Sequence, residues 1–176
     1  VLGEVPKCLA QVCGKPILDY QLELAERAGI KKAILLTGVH SGQIEDHVRR
    51  VTYKLEVEIV RECEPMGTAG CFHLLKDREI ERFLIIYGDV LCNFDIGRLV
   101  EFHRVKGGIA TVVTHPNNHP FDSDLFEVEN SRITNCLRKP HPAGAMFGNL
   151  VNAGVYLVEN RISAFVPGKK SDWAHD

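Results

Sequence analysis

Four short stretches of this chain, "IIYGDV", "EPMGTAG", "LRKP" and "VNAGVY", carry residue types able to do chemistry. In the first, Asp89 stands just past an apolar run that reads as a buried strand. A carboxylate at a strand's carboxyl end can hold a hard divalent cation beside a phosphate, and Gly88 lets the backbone approach closely. A loop-capping aspartate would look the same. In the second, Gly67, Thr68, Ala69 and Gly70 make a strand-to-helix turn almost without side-chain bulk, where backbone amides can meet a flat base or an anion. A tight turn with close helix packing accounts for the same glycines. Lys139, at a strand end, can neutralise a phosphate, although most lysines are exposed and serve no such role. Asn152 and Gly154 offer an amide and close backbone approach to hydroxyl groups.

Alternating elements must position these groups. "GKPILDYQLELAERAGI" places Ile17, Leu18, Leu22, Ala25 and Ala28 at helical spacing and ends at Gly29. "KKAILLTG" and "FLIIYGD" are continuous apolar runs of the kind found in strands buried on both faces. Between them, "SGQIEDHVRRV" predicts a helix with Ser41 as N-cap, and "KLEVEIV" alternates like an edge strand. A helix is expected from about Thr68 to Lys76, and "DIGRLVEFHRVKGG" predicts another with Ile96, Leu99, Val100 and His103 on one face. "IATVVTHP" closes the series. From about residue 120 the pattern changes to two strands about a Glu-Asn-Ser turn, then "LVNAGVYLVEN" as a strand and "RISAF" as a short helix. The expected fold is α/β, a Rossmann-like three-layer α/β/α arrangement on a mostly parallel sheet, with a small β elaboration in the second half.

Composition narrows the function classes. The chain has 176 residues, 45% hydrophobic and 25% charged, which suits one globular domain. With a formal charge of -2 and scattered Lys and Arg it has no basic stripe for nucleic acid. Its apolar runs are far shorter than a bilayer span, so a soluble, cytoplasmic protein without a membrane partner is expected. Six cysteines, none in C-x-x-C spacing, read mostly as reduced residues in or near the core. His115 and His119 flank "PNN", but Pro116 and Pro120 favour an extended loop over a zinc-binding helix. His103 reads as packed rather than catalytic, and Trp173 as a cover for an apolar patch or a partner surface.

Taken in order, "VPKCLAQVCGKPILDYQLELAERAGIKKAILLTG", "EPMGTAG", "YGDV", "LRKP" and "VNAGVY" resemble the sugar-phosphate nucleotidyltransferases over nearly the whole chain. "HPNNHPFDSDLFEV" with "LRKPH" and "NLVNAGVY" is most similar to the bacterial heptose 1-phosphate and mannose 1-phosphate guanylyltransferase branch. The resemblance implies an NTP and a sugar 1-phosphate as partners, Mg²⁺ as cofactor, and a nucleotide-sugar and pyrophosphate as products. It implies that Lys7 and Asp89 are catalytic, Lys7 meeting the nucleotide phosphates and Asp89 binding the metal, that the Gly67–Gly70 turn lies against the base, and that Gly88 also belongs to the nucleotide site. Lys139 would hold the sugar phosphate, with Asn152 and Gly154 at the sugar ring. Residues 1–119 would form the nucleotide-binding part and 120–176 the sugar-binding part of a single domain, with a homo-oligomer left open. Glu64, ahead of the glycine turn, can accept from a guanine edge, which favours GTP, although an exposed loop glutamate is equally well accounted for.

Departures from the family's pattern shape the remaining expectations. Its members carry a strand and a G-G-x-G-T-R-L loop ahead of the place where "VLGEVPK" begins, and a second metal-binding aspartate well past "NAGVY", for which Asp172 and Asp176 are poor substitutes by position. This polypeptide alone is therefore expected to have little transferase activity, and its sheet to show two unpaired edges. A non-catalytic nucleotide or nucleotide-sugar binding module, possibly fused to another enzyme of the same pathway, is the second reading. A dinucleotide-dependent oxidoreductase is disfavoured, because no G-x-G-x-x-G follows a predicted strand.

Overall fold

The computed structural model describes residues 5–39, 41–142 and 147–173. A 3-10 turn at Lys7–Leu9 leads into a small antiparallel hairpin, β1 (Gln11–Val12) and β2 (Lys15–Pro16), and directly into helix α1 (Ile17–Arg27). Strand β3 (Lys32–Thr37), helix α2 (Ser41–Arg50) and strand β4 (Glu56–Arg61) follow, and β3 and β4 pair in parallel. The glycine turn forms a single helical turn, α3 (Gly67–Gly70), continued by a 3-10 segment at Cys71–Leu75 where a longer helix is predicted. Then come β5 (Arg82–Ile86), α4 (Ile96–Lys106), β6 (Ala110–Pro116), the hairpin β7 (Leu125–Glu129) and β8 (Arg132–Leu137), and the long strand β9 (Leu150–Glu159). The short helix expected at "RISAF" is a 3-10 turn over Asn160–Ala164.

The apolar periodicities become three packed clusters. Leu18, Leu22 and Ala25 of α1 meet Ile44 of α2 and Leu55, with Ala33 and Leu35 of β3 against them. Ile34 and Leu36 point the other way, into a cluster with Phe72, Leu75, Phe83, Ile85, Tyr156 and Val158. Leu99 of α4 packs on Val155 and Leu157, the opposite face of β9. Thus β3 and β9 each contribute alternate residues to two clusters, as the pleat requires of a strand covered on both faces. Val100 departs from the predicted inner face of α4: it is 37% exposed, while Ile96, Leu99 and His103 are buried.

The mostly parallel sheet expected from sequence is corrected by β9. That strand lies between β5 and β6 and runs antiparallel to both, and β3–β4 is the parallel hydrogen-bonded pair. Strand direction is set by which distant segment fills the slot, and a hydrophobic run carries no direction. Strands β3 and β5 share side-chain contacts in one cluster, yet β3 pairs with β4 and β5 with β9, so among the described residues each has one edge without a strand partner. The likeness to the expectation lies in the α/β layering and in the β7–β8 hairpin of the second half.

Candidate active site

Asp89 sits in a tight turn at the carboxyl end of β5, closed by the Val90 N–H donating to the Tyr87 carbonyl at 3.0 Å. Helix α1 supports this turn from below. Gln21, 8% exposed on the face that carries Leu18 and Leu22, donates from Nε2 to the carbonyls of Tyr87 (2.8 Å) and Val90 (2.6 Å). The same helix seats the 3-10 turn bearing Lys7, whose neighbours Cys8 and Leu9 pack on the α1 cluster. Lys7 Nζ thereby reaches Asp89 Oδ2 at 3.2 Å, with side chains 74% and 46% exposed. An ion pair this exposed adds little stability and can exchange partners readily. Beneath it, Gly88 lies against Cys8, whose thiol is pushed up mainly by burial, with the nearby Asp89 charge adding to the effect.

Strand β9 brings Asn152 and Gly154 to the same place. Gly154 has φ +71, and a Cβ there would stand 2.9 Å from the Tyr87 ring, so only glycine fits this bend. Its carbonyl accepts from the Tyr87 N–H at 2.9 Å. The Asn152 side chain is turned inward: Oδ1 accepts from the Gly154 N–H at 2.9 Å, and Nδ2 donates to the Tyr156 hydroxyl. The Tyr156 and Tyr87 hydroxyls are 3.0 Å apart, and burial, reinforced by Tyr87, holds Tyr156 well above the ordinary phenol range. Lys7, Gly88, Asp89, Asn152 and Gly154 are therefore one physical unit.

Two predicted groups keep other company. In the glycine turn, the Ala69 and Gly70 amides both donate to the Ser171 carbonyl at 3.0 and 3.1 Å, and the Thr68 N–H and hydroxyl donate to Asp172 Oδ1 at 2.9 and 2.8 Å. A Cβ on Gly70 would lie 2.5 Å from the Lys169 carbonyl, and one on Gly67, at φ +75, would collide with the Ser171 carbonyl. The inner side of this turn is filled by the chain's own segment 169–173, and close packing accounts for its bareness there. Thr68 remains exposed, as does Glu64 upstream. Lys139 donates from Nζ to the Asp122 carbonyl at 3.0 Å and from its backbone to Asp124 Oδ1, which ties it to the loop before β7.

The remaining sequence candidates take structural places. His103 is buried between Thr111 (2.7 Å) and Glu159 (2.9 Å). His115 is the penultimate residue of β6 and donates to the Pro116 carbonyl. Trp173 covers an apolar patch, its ring 5.6 Å from Phe72 and 5.9 Å from Tyr156. Asp176 lies outside the described residues. Gln21 and Tyr156 were not singled out from sequence, although a glutamine inside an apolar helical stripe signals a buried amide that needs partners.

Among the described residues no cluster of three His, Cys, Asp or Glu is arranged to hold a metal ion by itself. Magnesium, however, binds through one or two carboxylates plus substrate phosphates and keeps several waters. A half-exposed carboxylate on a fixed turn fits that mode, and the lysine beside it fits the phosphates. No helix among the described residues is long and apolar enough to cross a membrane.

Residues 3–175 match the family model described as nucleotidyl transferase. The chain is 35% identical over 159 residues to the mannose-1-phosphate guanylyltransferase catalytic subunit beta of Drosophila pseudoobscura pseudoobscura, covering 86% of this chain and 42% of that protein. It is 32% identical over 161 residues to the subunit of the same name from Danio rerio, covering 87% of this chain and 44% of that one. The chain thus spans less than half the length of these relatives. In fold it superposes on HddC from Yersinia pseudotuberculosis, also solved as a complex with GMP-PN, with a TM-score of 0.81 at 23% identity, covering 100% of this chain and 77% of that one. The match over nearly every residue, with an aspartate and a lysine meeting at the end of β5, makes this chain a member of the nucleotidyl transferase family.

Proposed function

We propose that the polypeptide containing this chain joins an NTP, GTP by preference, to a sugar 1-phosphate, giving a nucleotide-sugar and pyrophosphate. The observation that carries the reading is the convergence of Asp89 and Lys7 at the carboxyl end of β5, within a nucleotidyl transferase chain. The guanylyltransferase relatives and the GMP-PN complex of HddC favour a guanine nucleotide.

In this reading a phosphate oxygen of the sugar 1-phosphate attacks the α-phosphorus of the NTP in line. A new P–O bond forms, the bond to the bridging oxygen between α and β breaks, and pyrophosphate leaves. Such a transfer needs positioning and charge neutralisation rather than a covalent enzyme intermediate. Asp89 is the ligand for Mg²⁺, which when bound supplies Lewis-acid stabilisation of phosphate charge. Lys7, on an exposed and adjustable side chain, exchanges Asp89 for phosphate oxygens once a substrate arrives. Lys139 meets the sugar phosphate. Gly154, with Asn152 shaping the strand beneath it, offers the sugar ring close approach to the backbone. Because Ser171 fills the inner side of the Gly67–Gly70 turn, the base rests on its solvent side, around Thr68. The enzyme acts in the cytoplasm.

Pyrophosphate release by the full polypeptide with Mg²⁺, tested across the four NTPs and a panel of sugar 1-phosphates including mannose and heptose forms, examines the reading. Release with one NTP and one sugar phosphate supports it. Tight nucleotide binding without release across the panel replaces it with a binding module.

A further inference from the structure

We propose that Gln21 is a positioning residue of this site: its side-chain amide holds the Tyr87–Val90 turn in the form that presents Asp89 to a divalent cation. The inference rests on the assignment of Asp89 as a metal-binding carboxylate.

Helix α1 places one amide nitrogen under both ends of a four-residue turn. A primary amide has two N–H groups, and here each meets a carbonyl, Tyr87 at one end and Val90 at the other. Gly88 and Asp89 lie between those carbonyls, so a rotation of either flanking peptide, Tyr87–Gly88 or Val90–Leu91, would cost a hydrogen bond to Gln21. The Tyr87 carbonyl also accepts from the Val90 N–H, which makes it the pivot of the turn. From the opposite side the turn is held by the Tyr87 N–H on the Gly154 carbonyl.

Packing alone does not explain this residue. Gln21 is 8% exposed, between Leu18 and Leu22 on the apolar face of α1, where leucine or methionine would fill the space without burying an amide. Nor does the carboxylate's own environment fix it, because its partner Lys7 is largely exposed and such pairs restrain little. The orientation of Asp89 is therefore inherited from the turn, whose side chains Tyr87 and Val90 pack in the core and whose carbonyls are held by the Gln21 amide. Since α1 also seats the turn bearing Lys7, one helix sets the spacing of the cation and the carboxylate.

The test uses the full polypeptide and reads Mn²⁺ binding in the presence of GTP by electron paramagnetic resonance, alongside Mg²⁺-dependent pyrophosphate release. The variants are Gln21→Met, Gln21→Asn, Asp89→Asn and the Gln21→Met/Asp89→Asn pair. Gln21→Met is expected to weaken Mn²⁺ binding about 10-fold, the scale seen when a metal ligand's supporting partner is lost. The Mg²⁺ needed for half-maximal turnover should rise by a similar factor. In the Asp89→Asn background the same change should have no further effect on Mn²⁺ binding, since the route to the metal is already gone. Gln21→Asn keeps an amide in the core but is one methylene short, so it should lose part of the affinity and provides a folded variant if Gln21→Met is unstable. A folded Gln21 variant with the parent's Mn²⁺ affinity would overturn the proposal, as would equal Mn²⁺ binding by the parent and Asp89→Asn. If Mn²⁺ binds through Asp89, weakens as expected in the Gln21 variants, and no substrate pair releases pyrophosphate, the transferase reading falls while the positioning role stands.

Discussion

Asp89 and Asp172 both lie beside glycine turns, and the fold treats them in opposite ways. At Gly67 and Gly70 the missing side chains make room for the chain's own carbonyls, and Asp172 accepts from the Thr68 N–H and hydroxyl, much as an N-cap residue does for the helix it precedes. At Gly88 and Gly154 the missing side chains let β9 and the Tyr87 turn pack closely beneath a carboxylate that stays half exposed. One aspartate supplies hydrogen bonds that close the structure, and the other is lifted clear of it. A carboxylate near glycine is thus not a site until its lone pairs are accounted for. At Asp172 the Thr68 N–H and hydroxyl claim Oδ1, whereas at Asp89 an exposed lysine leaves room for a cation.

The largest test of this contrast is catalytic. Asp89→Asn should lower metal-dependent turnover by on the order of 100-fold or more, the scale for losing a preorganised electrostatic group, while leaving the melting temperature near the parent's. Turnover and thermal melts of the same preparation decide it, and full activity in the variant would remove Asp89 from the mechanism.

A second test compares the glycines. Gly70→Ala should destabilise the protein by about 2–3 kcal/mol, because the new methyl meets the Lys169 carbonyl and must displace segment 169–173. Gly88→Ala, where the nearest atom is 3.4 Å away, should cost less than about 1 kcal/mol. Urea titrations of the two variants measure the difference, and equal midpoints would break the comparison.

Asp172→Ala comes next. Loss of a capping carboxylate should cost about 1 kcal/mol and lower the melting temperature by roughly 2–4 °C, with kcat near the parent's. A strong loss of kcat at unchanged stability would make Asp172 a functional aspartate after all.

The smallest expected effect is on cysteine chemistry. Burial, with Glu62 adding to it, pushes the Cys71 thiol up to about 11. A raised value leaves less thiolate below it, so alkylation of Cys71 should be slow at pH 8 and quicken about tenfold per pH unit up to about 11. The exposed Cys13 and Cys63 should react first. Peptide mapping after iodoacetamide treatment follows each site, and early labelling of Cys71 would show that the segment packed on the glycine turn opens readily.

Much of the framework is legible in the chain because it is local. The spacing of Leu18, Leu22 and Ala25 marks α1, the unbroken apolar runs mark β3 and β5, and Glu-Asn-Ser marks the β7–β8 turn, where Asn130 and Ser131 adopt positive φ. The residues that could do chemistry were also visible, since aspartate after a strand, a bare glycine turn and an Asn-Ala-Gly strand each differ in type from their surroundings. What those residues touch was not visible. The antiparallel course of β9 depends on pairing across more than sixty residues from β5. The filling of the glycine turn depends on contacts such as Thr68 to Asp172, 104 residues apart.

The sequence by itself determined which segments become helices and strands, and it supplied the carboxylate, lysines and glycines, because periodicity and backbone freedom act over a few residues. Only the tertiary structure decided that Gln21 grips the Asp89 turn, that Asn152 faces inward to Tyr156, and that Asp172 is consumed as a cap. Each of those outcomes is a choice among hydrogen-bond partners distant in sequence, made when burial removes water as the alternative partner.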